Sequence, residues 1–269
     1  MPHLTTPPGA APAATGAGRL GLGVPGYAHP LLAPAEWGEL ARPGTPVHWA
    51  VLNVTDGPGQ RPDPHVAEAA HRLREAGSGA GGGSDRRLLG HLDLRDGERS
   101  VGELVSEAHR YLDWYRVGGF YLAGAPADRA GLPAVRRIVD ALRSLGSLRA
   151  LSDADADGLR IVLGHGTHPY AGYAETADQL VTFSGAWADY RWSQVAEWTA
   201  EYPPERFCHF VHGVPRTHLE EAMRIARWQG AGTIWFTDRS DRHGSADPWA
   251  GMPAYWDEIV SRIGQGVSE

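Results

Sequence analysis

His91 and Asp93 stand two residues apart in the stretch Leu88-Leu-Gly-His-Leu-Asp-Leu94. On a strand that spacing puts both side chains on one face. A carboxylate beside an imidazole raises its pKa and fixes its tautomer, which makes an acid–base unit; a hydrogen-bonded structural pair is the plainer use of the same residues. His29, His165, His168 and His212 also lie at the ends of short apolar runs. Their spacing does not suit a metal. His209 and His212 are three apart on a strand and face opposite sides, His165-x-x-His168 falls in a Gly/Pro loop, and no His-Glu-x-x-His occurs. The expectation is therefore chemistry without a metal and without a cofactor. Gly-x-Ser-x-Gly is absent, and Ser184 in Thr-Phe-Ser-Gly-Ala lacks the nucleophile-elbow pattern. All 25 basic residues are arginine, which excludes a Schiff-base lysine, a pyridoxal-phosphate lysine and a P-loop lysine. Cys208, the single cysteine, lies in the apolar run Arg206-Phe-Cys-His-Phe-Val and reads as a small buried hydrophobe.

These groups need a scaffold that brings distant segments to one place. Eight short apolar runs with little polar alternation read as strands buried on both faces: 20–27, 47–53, 87–94, 117–122, 160–163, 180–184, 207–212 and 233–237. Amphipathic stretches between them predict helices over 63–76, 100–115, 133–145, 217–229 and 253–263. The second opens with Ser100 and Glu103 in capping-box spacing. The segments after strands one, five and six are shorter. Strand–helix alternation over 269 residues predicts an α/β protein, a single (β/α)8 barrel of the TIM type. A doubly wound sheet is second, since no Gly-x-Gly-x-x-Gly follows the first strand. The run 77–84, rich in Gly and Ser, separates a helix from a strand and reads as a flexible insertion on the bottom of the barrel, not a phosphate loop. Residues 1–19, rich in Pro and Ala, read as a disordered leader, with the barrel over 20–265.

In such a barrel chemistry belongs at the C-terminal ends of strands. Those ends supply Tyr27 and His29; Asn53, Thr55 and Asp56; His91, Asp93 and Arg99; Tyr121; His165 and His168; Ser184 and Trp187; His212; and Thr237 and Asp238. Of ten tryptophans, Trp187 and Trp249 are the expected platforms for a flat or sugar-like ligand. A formal charge of −7 with no basic run argues against nucleic acid. No run is long and apolar enough to span a membrane. The N-terminus lacks the pattern of a signal peptide, so the expected location is the cytoplasm.

Several pieces together resemble the spherulation-specific family 4 (spherulin-4-like) proteins: Gly23-Val-Pro-Gly-Tyr-Ala-His-Pro30, Asn53 with Gly57-Pro-Gly59, Gly90-His-Leu-Asp-Leu-Arg-Asp-Gly-Glu-Arg99, Trp114-Tyr-Arg-Val-Gly-Gly-Phe-Tyr-Leu122, Gly164-His-Gly-Thr167 and Met252-Pro-Ala-Tyr-Trp256. The resemblance spans roughly 20–263 and implies a (β/α)8 barrel. In fungal relatives it implies a two-carboxylate glycoside hydrolase acting on α-1,4-linked galactosamine polymers. The family pattern, like Gly-Ile-Phe-x-Asp-Glu after strand four, reads Gly119-Phe-Tyr-Leu-Ala-Gly124 here, and Ser184 stands where a Glu would end strand six. Glycosidases need one carboxyl to protonate the leaving group and a second as nucleophile or base, and Ala, Gly and Ser supply neither.

Three expectations follow. The first is a repurposed barrel acting on a small cytosolic metabolite by acid–base chemistry of the isomerase, lyase or cyclase type. It uses His91, Asp93, His165 and His212, with Tyr27, His29, Asn53, Arg99, Tyr121, Ser184, Trp187, Asp238 and Trp249 holding the ligand at the C-terminal face. The second is a non-catalytic sugar-binding protein. The third is an α-1,4-galactosaminidase-like enzyme with relocated carboxylates, drawn from Asp93, Asp128 or Asp238.

Overall fold

The computed structural model describes residues 20–26, 29–77, 87–152, 158–240 and 247–264. Eight parallel strands form a closed barrel in sequential order: β1 (Gly21–Val24), β2 (Val47–Leu52), β3 (Arg87–Asp93), β4 (Gly119–Ala123), β5 (Arg160–Gly164), β6 (Gln179–Ala186), β7 (Phe207–His212) and β8 (Thr233–Phe236). The ring closes where Gly21 and Leu22 of β1 pair with Thr233 and Ile234 of β8. The expected (β/α)8 barrel is the observed fold, and every expected strand overlaps an observed one.

The outer layer comprises α1 (Pro34–Ala41), α2 (Pro64–Gly77), α3 (Val101–Tyr115), α4 (Leu132–Ser152), the single turn α5 (Trp187–Tyr190), α6 (Leu219–Trp228) and α7 (Trp256–Gly264). Local chemistry explains the starts. Asp63 accepts hydrogen bonds from the backbone N–H groups of His65 (2.9 Å) and Val66 (3.2 Å), capping α2 ahead of its first-turn proline. Ser100 and Glu103 form the full capping box of α3. After β5 the chain makes only a short 3-10 turn, Ala171–Tyr173, and after β6 it makes α5 and a second 3-10 segment, Glu197–Glu201. The helical ring is thin on that side. The Gly/Ser run from 78 onward and the N-terminal leader lie outside the described residues.

The barrel interior is filled. Trp49 of β2 stacks on Tyr121 of β4 (ring centroids 6.1 Å) and meets Phe210 of β7 edge-on (5.9 Å). Its indole N–H donates to Gln179 Oε1 at 2.6 Å, while the Gln179 amide donates to Thr233 Oγ1 (2.8 Å) and the Glu205 carbonyl (2.9 Å). His48 Nδ1 lies 2.9 Å from Thr233 Oγ1. A buried polar layer with its partners in place thus closes the barrel below an aromatic layer.

Candidate functional site

Above the aromatic layer, at the C-terminal ends of the strands, lies a cavity of about 690 Å³. His91, Tyr121 and Phe210 rise from β3, β4 and β7, with Ala123 and Ser184 beside them on β4 and β6. The loops after β1, β2 and β8 add His29, Asn53, Thr55, Asp56, Asp247 and Trp249. Tyr121 fits because β5 offers Gly164 opposite its hydroxyl, where an added Cβ would lie 2.5 Å from that oxygen. Trp249 packs on Phe210 (5.7 Å) and edge-on to His212 (5.5 Å), so the indole is held as part of the wall.

The electrostatics of this cavity are those of hydrogen bonding. Burial holds the His91 imidazole below its ordinary pKa, against the opposing pull of Asp93, Asp56 and Glu107, so the ring is neutral near pH 7. Its Nδ1 is buried without a hydrogen-bond partner among the described residues, which leaves Nε2 as the nitrogen that can meet a ligand. Burial likewise pushes the Tyr121 phenol well above its usual range. His29 has both nitrogens engaged: Nδ1 accepts the Leu31 N–H (3.2 Å), and Nε2 faces Asp63 Oδ2 (3.1 Å). Among the described residues no arginine lines the cavity, and its carboxylates are Asp56 and Asp247.

The loop from Asn53 to Gly59 is tightly built. Asn53 Oδ1 accepts the Gly57 N–H (3.1 Å), and Asp56 adopts the left-handed conformation (φ 51°). Helix α3 grips the same loop from below. The Tyr115 hydroxyl donates to the Pro58 carbonyl (3.1 Å), and Arg110 Nη1 donates to the Gly59 carbonyl (2.9 Å). Such over-determined strain is common where a side chain is held for binding.

Of the four residues expected to act in acid–base chemistry, His91 alone lines this cavity. Asp93 does not hydrogen-bond to it. Its Oδ1 accepts the Arg95 N–H (2.9 Å) in the turn that ends β3, because a carboxylate at a strand end is captured by the first free amide beyond it. His165 turns toward the β4 loop, with Nδ1 near the carbonyls of Ala125 (3.3 Å) and Pro126 (3.0 Å) and its ring edge-on to Tyr173 (4.7 Å). Burial lowers its pKa to about 4. His212 and Asp238 line a separate, smaller cavity.

Among the expected ligand contacts, His29, Asn53, Tyr121, Ser184 and Trp249 line the main cavity, and Tyr27 lies outside the described residues. Arg99 is engaged elsewhere. Its guanidinium grips Glu107 of α3 at 2.7 and 3.1 Å, the fork geometry that arginine prefers with a carboxylate. Trp187 is only 7% exposed, with the His218 ring (5.7 Å) and the Arg191 guanidinium (5.5 Å) against it, so it offers no open platform. Asp128 accepts the Gly131 N–H (2.8 Å) at the start of α4. Asp247 was not expected at the site: it belongs to the long connection after β8, which no periodicity ties to the mouth. Asp56 carried a signal, its place directly after β2. No group of three or more His, Cys, Asp or Glu side chains among the described residues is arranged to hold a metal ion, and no helix there is long and apolar enough to cross a membrane.

A closed, filled (β/α)8 barrel whose main cavity lies at the C-terminal ends of its strands is a barrel of the TIM type. The chain belongs to the spherulation-specific family 4, whose profile matches residues 22–263. Among solved structures, Sph3 of Aspergillus clavatus in complex with GalNAc is similar over 92% of this chain and 98% of that one, with 22% identity and a TM-score of 0.72. A GH18 chitinase from Pseudoalteromonas aurantia (13% identity; 90% and 99% of the chains; TM-score 0.52) and a mutant GH18 chitinase from Cycas revoluta in complex with (GlcNAc)4 (10%; 90% and 98%; 0.51) share the fold. A search of curated proteins returns no match.

Proposed function

We propose that this chain is a saccharide-binding member of its family that takes an amino-sugar unit into the main cavity and does not cleave it by the family's two-carboxylate route. One observation carries the reading: the wall formed by the ends of β4 and β6 is Ala123 and Ser184, followed on β4 by Gly124 at φ 58°. What lines the cavity is a recognition set. Trp249 offers an indole face, Tyr121 and Ser184 offer hydroxyls, Asn53 an amide and His91 a neutral imidazole, which together suit a ring bearing hydroxyl groups. The sugars bound by Sph3 and by the Cycas chitinase, GalNAc and (GlcNAc)4, support an amino sugar as the ligand class. Acid–base turnover of a small metabolite has less to rest on, since Asp93, His165 and His212 do not join His91.

A second reading, hydrolysis by relocated carboxylates, draws on Asp56 and Asp247, which line the cavity, in place of Asp93, Asp128 or Asp238. Calorimetric titration with GalNAc, galactosamine and their oligomers, with mass spectrometry of the same mixtures, separates the two. The expected result is saturable binding, weakened about tenfold in Trp249→Ala, with every oligomer intact. Absence of binding overturns the proposal. Cleavage abolished by Asp56→Asn or Asp247→Asn establishes the second reading instead.

A further inference from the structure

Two walls of the main cavity come from β2 and β3, and the pairing of these strands stops below it. The ladder runs from Trp49 opposite Arg87 to Leu52 opposite Gly90. Beyond that rung β2 gives way to the loop that brings Asn53, Thr55 and Asp56 to the cavity, while β3 runs on through His91 to Asp93. Among the described residues the ladder thus leaves the two walls unjoined at the height of the cavity.

An ion pair stands across this gap. Arg99, in the turn after β3, donates to both carboxylate oxygens of Glu107 on α3, at 2.7 and 3.1 Å. The two side chains are only 14% and 16% exposed, so water does little to screen or replace the contact. Arg99 Nη1 also donates to the Asp93 carbonyl (3.3 Å), which ties the pair to the end of β3. On its other side the Glu107 carboxylate lies against Gly57, where an added Cβ would be 3.7 Å from both Cδ and Oε2. The β2 loop closes on that glycine. The Gly57 carbonyl accepts the N–H groups of Val54 (3.0 Å) and Thr55 (3.3 Å), and its own N–H donates to Asn53 Oδ1 (3.1 Å). Asp56 directly precedes it.

We propose that Glu107 and Arg99 are positioning residues for the main cavity: the pair braces the β2 loop against the end of β3 and so fixes Asn53 and Asp56 relative to His91. Neither side chain is among the cavity walls; both act through the backbone that carries the walls. The inference rests on the saccharide-binding reading for its ligand and adds what holds that site in shape. The fork of an arginine on a carboxylate fixes angle as well as distance, as a brace must. Apolar side chains of similar size would fill the same space, and exchanging a buried pair for them is often neutral for stability, but they could not hold the Asp93 carbonyl.

That difference supplies the test. Glu107→Ala and the double replacement Arg99→Met with Glu107→Leu are compared with the wild type by thermal unfolding, by calorimetry with GalNAc and galactosamine, and by amide hydrogen exchange of the ligand-free protein. Glu107→Ala strands the Arg99 cation and is expected to lower both Tm and affinity. The double variant is expected to recover most of the lost Tm, which shows that it is folded. It should still bind about tenfold more weakly than the wild type, with the Val54 and Thr55 amides exchanging about tenfold faster. Affinity and exchange that return together with Tm would make the pair a structural contact only and overturn the proposal, as would wild-type affinity in Glu107→Ala. If the wild type binds neither sugar, the saccharide-binding reading falls, and loop exchange in the double variant decides the brace by itself.

Discussion

Gly124 occupies the position where the family pattern places the second acid after strand four, and the backbone there resists a side chain. Its φ is 58°, and an added Cβ would lie 3.1 Å from Asp93 Oδ1, the oxygen that already accepts the Arg95 N–H. For Gly124→Ala, the left-handed conformation costs about 1–2 kcal/mol. Displacing the Asp93 carboxylate weakens a hydrogen bond worth about 0.5–1.5 kcal/mol. A loss of about 2–3 kcal/mol lowers Tm by roughly 4–12 °C in a chain of this size. Gly124→Asp tolerates the conformation better but sets a second carboxylate beside Asp93. Two such charges 4 Å apart repel by about 1 kcal/mol in water and about 4 kcal/mol at an effective dielectric of 20. Asp93 is 39% exposed, so the lower figure applies. Thermal unfolding followed by circular dichroism at pH 7 in low and in high salt distinguishes the terms: the charge repulsion is screened by salt and the steric deficit of the alanine persists. A Gly124→Asp protein melting within about 1 °C of the wild type at pH 7, against the roughly 2–4 °C that about 1 kcal/mol of repulsion implies, would refute the reasoning and mark position 124 as an open slot.

Two further outcomes are expected. Burial lowers His165 to about 4, and burial with the nearby His168 lowers His209 to about 3, so both rings are neutral in the fold and gain protons on unfolding in mild acid. Their stabilisation is complete above pH about 6.5 and declines as pH falls toward each folded value, each with a limiting slope of about 1.4 kcal/mol per pH unit; urea midpoints that stay flat from pH 7.5 to 5 would contradict this. In the barrel interior, Trp49→Phe removes the donor to Gln179 Oε1 and leaves that buried oxygen unpaired, a cost of about 1–3 kcal/mol. Tm should fall by about 2–12 °C, and an unchanged Tm would show that the bond contributes nothing.

The strands were legible because parallel strands buried on both faces are written as short, unbroken apolar runs; β7, at 207–212, coincides with the expected one. Helices with caps or long stripes were legible as well, α3 from its Ser100–Glu103 box and α2 from its stripe. Helix α1 was not, since Pro34–Ala41 is only eight residues and has no side-chain cap. The site was harder. Periodicity placed His91 and Asp93 on one face, but the last residue of a strand answers to the turn that follows, and Asp93 went to the Arg95 amide. Arg99 and Trp187 were read from their place after strands, whereas their fates were set by Glu107 on α3 and by His218 beside α6. Asp247 lines the cavity beside the expected Trp249, but no strand end or helical stripe in the sequence marked it.

The grip of α3 on the loop after β2 has a consequence for how this molecule can change. Tyr115 and Arg110 hold main-chain carbonyls, those of Pro58 and Gly59, and Asn53 fixes a main-chain amide. None of these bonds depends on the side chains at positions 55, 56 or 60. The frame of the loop therefore rests on main-chain bonds, and positions 55 and 60 form a natural place for variation, by evolution or in a library, where new ligand preferences arise without a search for a new backbone, while the left-handed φ of 51° at position 56 keeps that site to Asp, Asn or Gly.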